Sequence, residues 1–184
     1  MQRSLHIGWL SAFALVLSLP NSAAVVAQEA APPTLLPGGA SSLSETHGDW
    51  TVRCQVIARN QTSERVCAMS QVQANAQGQQ VIGVELRPLT DGLEGTLVLP
   101  FGLAITQRVT LSIDEADPVP ASFSTCVPAG CIVPITANES IVNALRTGAS
   151  LTVTASNIEG QQLKLLVPLN GFAAAAQRME ALNQ

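Results

Sequence analysis

The sequence predicts a mainly β domain: an antiparallel sandwich or barrel of about eight or nine short strands, with one short internal helix and a C-terminal helix. Apolar and polar residues alternate along several segments, as in Trp50-Thr-Val-Arg-Cys54, and this is the pattern of a strand with one buried face. Turn-forming residues separate these segments at intervals of roughly ten residues. The chain has 184 residues, 47% of them hydrophobic, which is enough to bury a substantial core.

The strand candidates fall into two groups by the regularity of their alternation. The regular ones cover residues 50–56, 82–87, 108–113, 151–155 and 163–169. The less regular ones cover residues 65–72, 96–99, 122–126 and 131–135. Residues 114–120 contain three acidic residues and two prolines, and this composition predicts a turn between strands.

Two segments have a helical pattern. Thr136 and Glu139 have the spacing of a capping box, the apolar residues Ile141, Val142 and Leu145 follow, and Gly148 is expected to end the helix. The second helix is predicted from Gly171 to about Leu182. Its expected buried face consists of Phe172, Ala175, Ala176, Met179 and Leu182.

The N-terminal residues are typical of an export signal. Arg3 precedes an apolar run from Ile7 to Leu19, and small residues lead up to Ala27, so we expect a signal peptide over 1–27 that is cleaved after Ala27. The apolar run is about 13 residues, shorter than the ~20 that span a bilayer. The sequence therefore predicts a periplasmic or secreted protein that does not span the membrane after cleavage. Residues 28–46 are expected to form a flexible linker, and residues 47–184 a disulfide-bonded β domain.

All four cysteines follow the predicted signal: Cys54, Cys67, Cys126 and Cys131. An even number of cysteines in an exported chain indicates disulfides. Four cysteines allow three connectivities, and we expect Cys54–Cys67 and Cys126–Cys131, because a single hairpin can bring each pair together. Neither spacing is the Cys-x-x-Cys of a redox-active pair.

Two aromatic side chains lead to specific expectations. Trp50 shares a strand face with Val52 and Cys54, so we expect it to be buried against the Cys54–Cys67 bridge. The segment Leu99-Pro-Phe-Gly-Leu103 is an apolar turn. We expect Phe101 to pack inward, and the alternative is an exposed contact tip for a partner or a lipid.

The composition argues against several functions. Nine Lys plus Arg against 13 Asp plus Glu give a net charge of −4, too few cations for a surface that binds nucleic acid. His47 is the one histidine after the predicted signal. Because it lies outside the predicted core, the sequence offers no histidine for a Ser-His-Asp triad, and one histidine cannot form a multi-histidine zinc site. Asp114, Glu115 and Asp117 could form a weak calcium loop, although a solvated turn is the preferred interpretation. The sequence thus predicts no catalytic residue, no cofactor and no metal ligand.

Several segments together resemble the invasion-associated locus B (IalB) family of exported bacterial proteins, over nearly all of residues 46–182. They are His47-Gly-Asp-Trp-Thr-Val-Arg-Cys54, Val66-Cys-Ala-Met69, Leu99-Pro-Phe-Gly-Leu103, Val109-Thr-Leu-Ser-Ile-Asp114, Phe123-Ser-Thr-Cys126 with Gly130-Cys131, and Pro168-Leu-Asn-Gly-Phe172. The resemblance implies an envelope protein of a Gram-negative bacterium with a compact disulfide-bonded β domain. It also implies an association with host-cell invasion and virulence, and it supplies no catalytic residues.

Two functions remain as hypotheses. The first is a non-enzymatic interaction module at the cell envelope or surface, whose loops bind an unknown protein, glycan or lipid partner. The second is a hydrolase with an acidic pair that is assembled only in the fold. The single histidine and the low charge favour the interaction module. Two carboxylates that face each other in a polar cleft would favour the hydrolase.

Overall fold

The computed structural model describes residues 35–59 and 62–183, which contain eleven strands and two α-helices. The strands are β1 Ser42–His47, β2 Trp50–Arg59, β3 Thr62–Ala74, β4 Gln80–Leu89, β5 Gly92–Leu99, β6 Val109–Ile113, β7 Val119–Ala121, β8 Thr125–Val127, β9 Gly130–Asn138, β10 Ser150–Ser156 and β11 Gln162–Pro168. The helices are α1 Glu139–Thr147 and α2 Phe172–Asn183. The predicted signal peptide, residues 1–27, lies outside the described residues.

The strands of the described part form two antiparallel sheets. The larger sheet has the order β1-β2-β3-β4-β5-β9-β8, and the smaller one has the order β11-β10-β6-β7. Buried side chains from both sheets and both helices join one hydrophobic core. The mainly β fold that the alternating pattern predicts is therefore confirmed.

Both predicted disulfides are present in the described part of the chain, and each joins residues that face each other across a hairpin. Cys54 of β2 is paired with Cys67 of β3, with their Cα atoms 4.1 Å apart. Cys126 of β8 is paired with Cys131 of β9, with their Cα atoms 3.9 Å apart. On chain entropy, the two bridges stabilise the fold by about 3 and about 2 kcal/mol respectively.

The domain begins earlier than the sequence suggested. Residues 28–46 were expected to be a linker, but β1 occupies Ser42–His47 and pairs with β2, and Leu36 is only 2% exposed. The segment expected to be a turn likewise contains the short strand β7. Both strands lie at sheet edges, where one side needs no partner. β1 has one large apolar residue, Leu43, and β7 is only three residues long, so the alternating pattern does not mark either strand.

The start of α1 differs from the predicted capping box. Asn138 caps the helix, because its side-chain oxygen accepts a hydrogen bond from the Ile141 backbone N–H at 3.0 Å. Thr136 instead lies in β9, opposite Glu94 of β5. The ladder between these strands continues to Asn138 and so holds Thr136 in an extended conformation. Gly148 ends the helix as predicted.

The turn between β1 and β2 packs against the start of α2. The Asp49 backbone N–H donates to the Asn170 carbonyl at 3.1 Å, and a Cβ atom on Gly171 would lie 2.0 Å from the His47 carbonyl oxygen. The rings of Trp50 and Phe172 meet edge to face, with centroids 5.0 Å apart. Two segments about 120 residues apart therefore form one close junction.

The buried face of α2 is the predicted one. Its buried residues are Phe172, Ala175, Ala176, Met179 and Leu182. Alanines on this face let the helix axis approach the sheet closely, because they have almost no side chain to separate the two backbones. Trp50 is buried as expected, but the aromatic partner that the structure places beside it is Phe172.

Candidate binding sites

The acidic turn after β6 has a structural role. Asp114 has a positive φ of 49°, and its carboxylate accepts hydrogen bonds from the backbone N–H groups of Ala149 and Ser150 at 3.1 and 2.9 Å. These bonds join the end of β6 to the start of β10. Within residues 35–59 and 62–183, no group of three or more His, Cys, Asp or Glu side chains could hold a metal ion.

His47 lies in a charged cluster that joins β1 to α2. The Glu45 carboxylate accepts hydrogen bonds from Arg178 Nε at 2.7 Å and from Arg178 Nη2 at 2.8 Å. The hydrogen bonds from the Arg178 guanidinium hold the pKa of Glu45 below its usual value of 4.5, and the Glu45 carboxylate in turn raises the pKa of Arg178. His47 Nε2 is 3.5 Å from the same carboxylate. The one histidine that follows the predicted signal is therefore next to a structural ion pair.

Two carboxylates share a polar groove on β4 and β5. Glu85 and Glu94 line it together with Arg87, and Arg87 Nε donates to Glu94 Oε1 at 3.0 Å. Glu85 is exposed. Neither carboxylate has the buried and unpaired environment that a general acid requires, so this groove has the character of a surface ion pair.

Phe101 points outward, which contradicts the expected inward packing. It is 62% exposed, while the flanking Leu99 and Leu103 are buried. The loop between β5 and β6 uses these two leucines to anchor its ends, so Phe101 is left at its apex. The alternative interpretation of this segment, an exposed contact tip, agrees with the structure.

Two other apolar residues are exposed, one on the loop that carries Phe101 and one on the turn between β10 and β11. Ile105 is 52% exposed and Ile158 is 78% exposed. The loop after β5 and the turn between β10 and β11 are joined by backbone hydrogen bonds, from Ile158 N–H to the Gly102 carbonyl at 3.1 Å and from Ala104 N–H to the Ser156 carbonyl at 2.9 Å. We call Phe101, Ile105 and Ile158 the contact tip.

The loop that carries Ile158 has a close counterpart elsewhere in the chain. In Asn157-Ile-Glu-Gly-Gln161, the Asn157 side-chain oxygen accepts hydrogen bonds from the backbone N–H groups two and four residues later. In Asn75-Ala-Gln-Gly-Gln79 the Asn75 side chain does the same. Ala76 occupies the place of Ile158. Because the loop forms with alanine there, the exposed isoleucine is not needed for its geometry.

A cavity of about 220 Å³ lies between the two sheets. The seven-stranded sheet contributes Leu86 and Ile135 to its lining, the four-stranded sheet contributes Leu111, Ile113 and Leu151, and α1 contributes Ile141. A closed and empty cavity of this size would destabilise a fold by about 5 kcal/mol. The alternating pattern could identify these residues only as core, because they come from distant segments.

The lining of the cavity changes from floor to mouth. Trp50, Leu86 and Phe172 at its floor are buried, whereas Asp117 and Ser140 are exposed. The mouth therefore lies between the loop after β6 and the start of α1. Among the described lining residues, Asp117 is the one ionisable side chain.

Neither helix of the described residues is long and apolar enough to cross a membrane.

Comparisons with known proteins agree with the fold and with the sequence motifs. Residues 50–180 match the model of a family described as "Invasion associated locus B (IalB) protein". The chain is 40% identical over 152 residues to an "Invasion protein B homolog" of Brucella abortus (strain 2308), covering 81% of this chain and 86% of that protein. It is 34% identical over 192 residues to "Invasion protein B" of Bartonella bacilliformis, covering 100% of both.

A solved structure has the same architecture. The crystal structure of invasion associated protein B from Bartonella henselae superposes with a TM-score of 0.70 at 35% identity, covering 76% of this chain and 96% of that one. The family model spans both cysteine pairs, the contact tip and the start of α2. With this match and these relatives, the chain belongs to the invasion associated locus B (IalB) family.

Proposed function

We propose that this chain is an exported, non-enzymatic protein of the cell envelope, periplasmic or at the surface, and that its contact tip binds an apolar patch on a protein partner. The observation that carries the proposal is the exposure of Phe101, Ile105 and Ile158 on two hydrogen-bonded loops. Clustered exposed apolar side chains are typical of interaction sites. Ile158 is the clearest case, since Ala76 in the matching loop shows that the turn does not require it.

A protein partner fits the tip better than a lipid or a glycan does. The loops over residues 99–108 and 156–161 carry one cation, Arg108, and one anion, Glu159. Binding to anionic membranes usually needs a cluster of basic residues, and this tip has no net charge. The core of a protein interface is rich in aromatic residues and poor in charged ones. The tip has this composition, with an aromatic residue among uncharged neighbours.

Several observations support the export and the absence of catalysis. Two disulfides are typical of an oxidising compartment. The relatives from Brucella and Bartonella are named as invasion proteins rather than as enzymes. In the groove of β4 and β5, Glu94 accepts a hydrogen bond from Arg87. The two carboxylates of this groove therefore do not support the acidic pair of a hydrolase.

Site-specific photocrosslinking in intact cells tests the proposal. A photoreactive residue at position 101 or 158 should give one protein adduct of defined mass. The same residue at position 166, where Leu166 is 58% exposed on β11, should give none. The double substitution Phe101→Ser with Ile158→Ala should abolish capture by a crosslinker at position 105 and leave the unfolding midpoint unchanged.

Two results would overturn the proposal. Equal adducts at positions 101 and 166 would show that capture does not depend on the tip. Tip-dependent sedimentation with uncharged phosphatidylcholine vesicles, without a protein adduct, would identify a lipid as the partner. Purified wild-type protein and the double variant are compared in the vesicle assay.

A further inference from the structure

We propose that the cavity between the sheets binds one small apolar chain of about eight to ten carbon atoms, with a neutral or cationic polar end at the mouth. The cavity is separate from the contact tip. Leu151 near the start of β10 lines the cavity, whereas Ser156 at the end of the same strand bonds to the tip loop. The five residue steps from Leu151 to Ser156 span roughly 17 Å of strand.

The size of the occupant follows from the volume. An apolar cavity of about 150 Å³ accommodates benzene, with six carbon atoms. A cavity of about 220 Å³ therefore has room for about nine. This is the size of a medium-length alkyl chain or a substituted aromatic ring, and it is too small for the full chain of a typical membrane lipid.

The floor favours hydrocarbon over water. A buried water needs two to four polar partners, and the floor presents the apolar faces of Leu86, Leu151 and Phe172. The indole N–H of Trp50 is already used, since it donates to the Pro168 carbonyl at 3.2 Å. An apolar chain makes van der Waals contacts with this floor, whereas a water molecule would find too few hydrogen-bond partners there.

The mouth selects the polar end of the ligand. The Asp117 carboxylate and the Ser140 hydroxyl group lie there, exposed to solvent. Asp117 repels a carboxylate such as that of a free fatty acid, and it attracts an amine. At about 4 Å in a water-like medium, one charge pair changes affinity by about fivefold.

Isoleucine methyl NMR on protein purified from cells that express the full chain tests the site directly. Titration with 1-nonanol should shift the methyl signals of Ile113, Ile135 and Ile141, which line the cavity. The signals of Ile105 and Ile158 in the contact tip should not move. Shifts confined to the tip, or no shifts at all, would overturn the cavity proposal, and neither result bears on whether the tip binds a protein.

Chain length provides a second test on the unaltered protein. Each methylene added between 1-hexanol and 1-nonanol should tighten binding by about fourfold, because burying a methylene gains about 0.8 kcal/mol. The gain should stop near ten carbon atoms, when the cavity is full. A gain that continued unchanged to 1-tetradecanol would indicate adsorption to a surface and contradict the proposal.

Two variants locate the ligand within the cavity. Ala144→Leu fills space in the lining of α1 and should weaken 1-nonanol binding at least tenfold. Asn143→Leu places the same side chain at the neighbouring position, which is exposed and does not line the cavity, and it should leave binding unchanged. Equal effects of the two variants would contradict the site. If Ala144→Leu does not fold, the methyl shifts and the chain-length series decide.

The charge at the mouth has its own test. Wild-type protein should bind nonylamine more tightly than nonanoate, and Asp117→Asn should reduce this preference by about 25-fold, because the attraction of the amine and the repulsion of the carboxylate are both lost. An unchanged preference would exclude Asp117 from the site.

Discussion

Trp50 joins β2 to two other elements, α2 and β11, through two different contacts. Its ring meets Phe172 edge to face, and its indole N–H donates to the Pro168 carbonyl. Gln71 Nε2 donates to the same carbonyl at 3.2 Å, so two buried donors converge on one acceptor at the end of β11. The Trp50 side chain therefore stabilises the junction by packing and by satisfying a buried polar group.

Replacement of Trp50 should lower stability severely. Trp50 is 1% exposed, and truncation of a buried tryptophan to alanine costs about 3–5 kcal/mol, a large share of the ~5–15 kcal/mol that holds a domain together. We expect Trp50→Ala to lower the chemical denaturation midpoint sharply, and Thr51→Ala to change it little. A midpoint that Trp50→Ala left unchanged would show that this face of β2 is not part of the core.

Two glycines with the same φ allow the cost of backbone strain to be measured apart from the cost of steric crowding. Gly171 and Gly160 both have a φ of 84°, but a Cβ atom on Gly171 would strike the His47 backbone, whereas one on Gly160 would meet nothing within 4 Å. Gly160→Ala should cost about 1–2 kcal/mol from the left-handed backbone alone. Gly171→Ala should cost about 1–3 kcal/mol more. Equal losses in urea denaturation would contradict the close approach at the junction.

At the scale of elements, β1 and α2 are held together by charge as well as by packing. Glu45 of β1 accepts both hydrogen bonds of the Arg178 guanidinium on α2. This pair attaches an edge strand whose apolar content is low. Together with the ladder to β2, it makes a segment that resembles a linker in sequence an ordered part of the sheet.

The Glu45–Arg178 pair predicts a pH dependence of stability. Arg178 lowers the pKa of Glu45 in the folded state below its usual value of 4.5. The ionised carboxylate therefore stabilises the fold above about pH 4.5, and this contribution is lost as the pH falls through the folded-state pKa. We expect Glu45→Gln to lower Tm at pH 7, and the difference from wild type to shrink below pH 4.5.

The exposed pair between Arg59 and Glu64 serves as the control. Its side chains are 68% and 54% exposed, with 3.7 Å between the charged atoms, and exposed pairs contribute little. Glu64→Gln should have little effect on Tm at either pH. A Glu45→Gln difference that stayed the same at pH 3 and pH 7 would show that this carboxylate does not stabilise the fold through its charge.

At the scale of the whole molecule, the sheets, the helices and the two disulfides enclose one core, and the two candidate binding sites lie near opposite ends of β10. The Cys126–Cys131 hairpin lies beside the end of β5, where the tip loop begins, because Leu99 is paired with Cys131. The bridge thus stabilises the end of the molecule that carries the proposed contact tip.

The predicted export signal leads to a test at the N-terminus of the exported protein. We expect cleavage after Ala27, so that the periplasmic or secreted form begins at Gln28, because small residues precede this position and the apolar run is too short to span a bilayer. N-terminal sequencing of the exported protein measures this directly. A protein that kept Met1 and stayed with the membrane after a carbonate wash would show that the segment is an anchor.

The predictable part of this fold rests on local patterns. Alternation identified β2, β4, β6, β10 and β11, because each of these strands has one buried face and a period of two. The cysteine pairing followed from short loops, and the buried face of α2 followed from its helical period. Each of these features depends on residues that are close together in the chain.

Other features depended on long-range contacts. Thr136 has a capping sequence but is held in β9 by its ladder with β5. β1 is held by its ladder with β2 and by Arg178 from the far end of the chain. Phe101 is exposed because the leucines on either side of it anchor the loop. The cavity is formed by side chains from both sheets and a helix. The sequence by itself determined which segments are strands and helices, because period and turn chemistry are local. Only the tertiary structure decided which apolar residues face the core, solvent or the cavity, because those environments are created when distant segments meet.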